Sequence, residues 1–114
     1  MRYAVLIYEK PGAYDRFSDD ERRVVSAEYL ELARDGRVVG GAQLQGLETA
    51  TTVRVQDGQS LITDGPFADT KEVFGGFYLL EADDLDAALA FAARIPATRL
   101  GGCVEVRPLV EPAP

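Results

Sequence analysis

The order of strand-like and helix-like stretches predicts an α+β domain. Two strand–helix–strand units would share one mainly antiparallel sheet, with both helices on the same face. Three observations carry this expectation. Two amphipathic stretches, near 19–35 and 84–95, each lie between runs rich in Val, Ile, Leu, Tyr and Phe. A short-range hairpin signal, Asp57-Gly58, sits between the two units. The chain has 114 residues, which suits one domain and leaves little room for a second.

Residues 2–9, RYAVLIYE, have the apolar density of a mostly buried strand. Pro11 and Gly12 mark 10–17 as a loop. Ser18-Asp19-Asp20-Glu21 then carries the capping-box pattern, in which the hydroxyl accepts from an early amide and the glutamate reaches back. Val25, Tyr29, Leu32 and Ala33 recur at helical spacing, and Gly36 is placed to stop the helix in a left-handed conformation. This predicts a helix over about 19–35. Residues 37–45 read as a second strand, with Gly40-Gly41 marking a bulge or a close backbone approach.

The runs on either side of Asp57-Gly58 predict a hairpin at about 51–63, and Gly65-Pro66 ends it. Residues 73–81 form the next strand, with a second glycine pair at Gly75-Gly76. Asp83 or Asp84 can cap a second helix, whose apolar stripe reads Leu85, Ala88, Leu89, Ala92 and Ile95 before Pro96. Residues 102–109 make the last strand, and the tail at 111–114 is expected to fray. With the hairpin set aside, this order is that of a ferredoxin-like sheet, expected as one domain over 1–110.

Composition excludes several function classes. Acidic residues outnumber basic ones 19 to 12, for a net charge of −7, which disfavours nucleic acid and anionic membrane as partners. No run approaches the length of a membrane span, and the short apolar N-terminal run lacks the pattern of a signal peptide. A single cysteine, Cys103, rules out an intramolecular disulfide and fits a reducing, cytoplasmic setting. With no histidine in the chain, the commonest general base and metal ligand are missing, so no metal site is expected. The glycine doublets lack the spacing of a dinucleotide or phosphate loop, and no cofactor is implied.

The candidate site residues each allow a functional and a structural reading. Asp64 is the candidate catalytic base or acceptor for a ligand hydroxyl, but it also suits a turn in which its carboxylate takes the amides of Gly65, Phe67 or Ala68. Phe67 is either a ligand-stacking wall or an apolar plug for the loop. Lys71, beside Glu72, would meet a polar substrate or form an exposed pair. Tyr8, Tyr78, Arg99 and Arg107 suit a phenolic or carboxylate ligand, and equally a polar sheet face. Cys103, set among apolar strand residues, reads as a buried inert thiol.

The run Thr63-Asp64-Gly65-Pro66-Phe67-Ala68-Asp69-Thr70-Lys71-Glu72, followed by Gly75-Gly76-Phe77-Tyr78, resembles the DGPF signature of the YCII-related family. The opening MRYAVLIYEK, the ATTVRV-DG hairpin, the helix DDLDAALAFAARIPA and the final strand GGCVEVRP extend the resemblance over nearly the whole chain. It implies a domain of the dimeric α+β barrel type, in which two sheets face each other around a cavity. It also implies a homodimer that binds a small organic molecule, as an isomerase-, lyase- or dehalogenase-type enzyme. Some relatives are linked with breakdown of chlorinated aromatic compounds. Others accompany sigma factors of the extracytoplasmic-function type, which implies the alternative of a non-catalytic regulatory module. A His–Asp pair has been proposed as the active site of some members, with the histidine on the first helix. The corresponding region here, near Val25 and Ser26, has none, so Asp35 would lack its partner.

Overall fold

The computed structural model describes residues 1–66 and 71–111. The described residues form six strands and two α-helices: β1 (Arg2–Glu9), α1 (Asp19–Ala33), β2 (Val38–Gln43), β3 (Thr51–Gln56), β4 (Gln59–Asp64), β5 (Val73–Glu81), α2 (Leu85–Ala92) and β6 (Cys103–Pro108). Four strands form one sheet in the order β2-β5-β1-β6, and every neighbouring pair is antiparallel. This is the ferredoxin-like order expected from the sequence. The β3–β4 hairpin forms a separate two-stranded sheet between the halves.

Local chemistry explains most element ends. Ser18 Oγ accepts from the Glu21 amide at 3.1 Å, and Glu21 Oε1 accepts from the Ser18 amide at 3.2 Å. Asp19, Asp20 and Glu21 add negative charge at the positive end of the helix dipole. The other end of α1 differs from expectation. Gly36 is not left-handed; Arg34 caps the helix in a right-handed conformation. The turn is closed instead by Asp35, whose carboxylate accepts from the Arg37 amide at 2.9 Å and grips the Arg37 guanidinium. At α2 the cap is Asp84, which accepts from the Ala87 amide at 2.8 Å. In the hairpin, Asp57 at φ 52° and Gly58 at φ 76° make the two-residue turn that the Asp-Gly pair predicts.

The core lies between the sheet and the helices. Tyr3, Val5 and Ile7 alternate inward from β1 to meet Tyr78 and Leu80 of β5, Leu32 of α1, and Ala88, Phe91 and Ala92 of α2. Ala88, Ala92 and Ile95 of the expected α2 stripe are buried, but the stripe is rotated at its flank: Leu85 and Leu89 stay about half exposed, whereas Phe91 is 1% exposed. Both stripes have helical spacing. The one that buries a large aromatic wins, and Phe91 meets Tyr78 edge-on with centroids 5.6 Å apart.

The opposite face of the sheet carries Leu6, Tyr8, Phe77 and Leu79, partly covered, and Cys103, Glu105 and Arg107, exposed. The buried-thiol expectation for Cys103 is therefore corrected. Its strand alternation aims Val104 and Val106 at the core and the thiol away from it.

Candidate functional site

The two glycine doublets create a groove beneath α1. At Gly75 the β1–β5 register slips between Ile7 and Tyr8, and just before Gly40-Gly41 the β2–β5 register slips at Val39, between Val38 and Gly40. A side chain at Gly76 would place Cβ 2.7 Å from the Ala42 carbonyl oxygen, and one at Gly41 would place it 2.5 Å from that of Phe77. These strands thus approach closely and present bare backbone under the helix. The space between them and α1 is an open cavity of about 1040 Å³.

Its apolar wall includes Ile7, Val25 and Leu30, and its polar groups include Glu9, Tyr14, Arg22, Ser26, Tyr29 and Tyr78. Tyr14 Oη donates to Glu9 Oε1 at 3.0 Å. Gly75 gives that carboxyl room, since a Cβ there would lie 3.3 Å from it. Arg22 holds the loop that carries Tyr14, donating from Nη2 to the Tyr14 carbonyl at 2.8 Å. Tyr78 Oη donates to the Tyr29 carbonyl at 2.9 Å and pins α1 to the sheet. Tyr29 Oη is cut off from solvent and has no hydrogen-bond partner among the described residues. The Tyr14 hydroxyl and the Ala97 amide lie near enough to influence its ionisation, but not in bonding geometry.

All three phenols stay protonated at neutral pH. Burial, then the charge of Glu9 and the bond to it, pushes Tyr14 up to about 12. Burial pushes Tyr78 up to about 12 as well, and raises Tyr29 further, with Tyr14 and Glu9 adding to the effect. The groove therefore offers neutral hydroxyls, the Arg22 guanidinium and one carboxyl group, and among the described residues no cluster could hold a metal ion.

The residues singled out from sequence are scattered. Tyr78 is part of the groove wall. Arg99 stands near it, and its Nη2 is paired with Glu28 Oε1 at 2.6 Å while its charge reaches Tyr14 and Tyr29. Tyr8 and Arg107 lie on the other face of the sheet, where Tyr8 stacks at a tilt on Phe74 with centroids 5.5 Å apart. Asp64 ends β4 on the hairpin, paired with Thr51, and Lys71 is exposed. The Gly65 amide donates to the Ala50 carbonyl at 2.7 Å, so it is not the donor expected for an Asp64 turn. Phe67 lies outside the described residues. Ser26 lines the groove in the region where the family's histidine is expected, while Asp35 is clasped by Arg37 and held down to about 2, chiefly by that side-chain bond.

Sequence reasoning missed Glu9, Tyr14, Arg22 and Tyr29. Glu9 reads as the end of a strand and Tyr14 as loop; the glycine doublets were the available signal, since they mark where backbone is left bare.

The fold and the groove define a ferredoxin-like α+β domain with a tyrosine-walled cleft under its first helix. The chain belongs to the YCII-related domain family, whose sequence model matches residues 1–112. An uncharacterized protein of Rhizobium meliloti (strain 1021) is 40% identical over 114 residues, spanning 96% of this chain and 92% of the relative. Among solved structures, 5-chloro-2-hydroxyhydroquinone dehydrochlorinase from Burkholderia phenoliruptrix AC1100, in complex with 2,5-dihydroxybenzoquinone, superposes with a TM-score of 0.56. It is 18% identical, and the match covers 98% of this chain and 96% of the other, which establishes a shared fold. Among the described residues no helix is long and apolar enough to cross a membrane.

Proposed function

We propose that this protein binds a small hydroxylated ring compound in the groove between α1 and the β2–β5 edge of the sheet. The observation that carries the reading is the groove itself: about 1040 Å³, lined by apolar side chains and by the converging polar groups Glu9, Tyr14 and Ser26. Pockets that take small organic molecules have this character, with a mainly apolar wall and a few placed polar groups. The ring-bearing ligand of the dehydrochlorinase supplies the first compounds to try. An isomerase-, lyase- or dehalogenase-type reaction fits such a site, and without histidine it would rest on carboxylate and phenol groups.

In this reading the chain works as a homodimer. The sheet face away from the helices carries Leu6, Phe77 and Leu79, and a second copy would cover it. Tyr8 and Arg107 would then face the partner, and Asp64 and Lys71 would act on ligand only from the hairpin side.

The test is a thermal-shift screen of catechols, resorcinols and hydroxyquinones. A ligand that binds the native state alone raises the melting temperature by mass action. Ser26→Phe fills the groove from an exposed helix position, so it should leave the ligand-free melting temperature nearly unchanged and abolish the ligand shift. If the shift survives Ser26→Phe and disappears in Asp64→Ala, the site is at the hairpin loop and this reading fails.

A further inference from the structure

The groove's polar groups are not equally available. The Tyr78 hydroxyl is engaged by the Tyr29 carbonyl, and Tyr29 Oη is closed to solvent. Two cations beside the groove also have partners. Arg22 donates to the carbonyls of Tyr14 and Phe17, and Arg99 is paired with Glu28 at 2.6 Å. Glu9 differs: it lines both this groove and a smaller neighbouring one, and among the described residues it forms no ion pair. Its Oε1 takes the Tyr14 hydroxyl, which orients the carboxyl group, and Oε2 lies over Gly75, which has no side chain to cover it, in the groove lining. The charged and titratable groups around it are Lys10, Tyr14 and Asp15 from β1 and its loop, and Arg22 and Tyr29 from α1.

We propose that Glu9 is the acceptor for the ligand's hydroxyl, and that the groove selects a neutral ring hydroxyl over its ionised form or over a ring carboxylate. An O–H donor gains a charge-assisted bond to a carboxylate, whereas an anion meets the like charge of Glu9; of the nearby cations Arg99 is neutralised by Glu28, and Arg22 keeps its charge but is held on two backbone carbonyls. This deepens the groove reading above and rests on it. It also reverses the carboxylate preference that Arg99 and Arg107 suggest from sequence.

The probe is 4-nitrophenol, whose neutral and ionised forms differ in colour. Bound to the wild-type protein, it should titrate higher than free probe, by on the order of one pH unit, because a like charge disfavours ionisation. Glu9→Gln keeps the shape and removes the charge, so the rise should vanish while the probe still binds. Glu9→Asp keeps the charge and should keep the direction of the shift. If the probe binds the wild type but titrates at or below its free value, this inference is overturned and the groove reading stands. If neither 4-nitrophenol nor catechol binds at millimolar concentration, both fall together.

Discussion

Gly41 and Gly36 offer opposite outcomes for the same substitution. Gly41 sits on edge strand β2 opposite Tyr78, at φ +151°, and an added Cβ would lie 2.5 Å from the Phe77 oxygen and 3.2 Å from Tyr78 Cα. Both obstacles are backbone atoms of β5, which cannot swing aside as a side chain can. Relief requires β2 to pull away from β5, on top of a backbone conformation that costs an L-residue on the order of 1–3 kcal/mol. Gly41→Ala should therefore destabilise by about 2 kcal/mol or more, lowering the melting temperature by roughly 5–15 °C for a domain of this size. Gly36 has an ordinary φ and nothing within 4 Å of an added Cβ. Gly36→Ala restricts the unfolded chain alone and should stabilise by about 0.4–1 kcal/mol. Circular-dichroism melts and urea titrations measure both. A Gly41→Ala protein that melts with the wild type would refute the account of the groove floor, and a strongly destabilised Gly36→Ala would refute the Asp35-closed turn.

The Asp35–Arg37 clasp should appear in acid. Asp35 is held at about 2, below its ordinary 3.8, so its contribution is complete above about pH 4 and is lost as pH falls through 2. Asp35 is one-fifth exposed and Arg37 43% exposed, so solvent screening keeps the effect small. Asp35→Asn should flatten that part of the stability–pH curve, and an unchanged acid limb would count against the clasp. Cys103 reports on self-association: it should label quickly in dilute protein and more slowly as concentration rises and the partner copy covers it. Labelling that is independent of concentration, together with a 12.4 kDa species in sedimentation equilibrium, would remove the homodimer.

Much of the fold was legible because its signals are local. The capping box at Ser18–Glu21, the Asp57-Gly58 turn and the alternation of apolar residues in β1 are set by neighbours within a few residues, and the order of elements then leaves few sheets to build. What needed the tertiary structure was everything decided by register and by competition between equivalent local choices. Ala88, Ala92 and Ile95 are buried as expected, but either Leu85/Leu89 or Phe91 of α2 could flank them at helical spacing, and contact with Tyr78 selects Phe91. Gly36 is a good helix stop by type, but the Asp35 side chain reaches the Arg37 amide first. Cys103 looks buried by its neighbours, and strand pairing with Tyr8 turns it to the other face. The groove is the extreme case. Its Glu9, Tyr14, Ser26 and Tyr29 come from a strand end, a loop and a helix, and two register slips at glycine pairs leave space for them to converge; no spacing along the chain encodes that meeting.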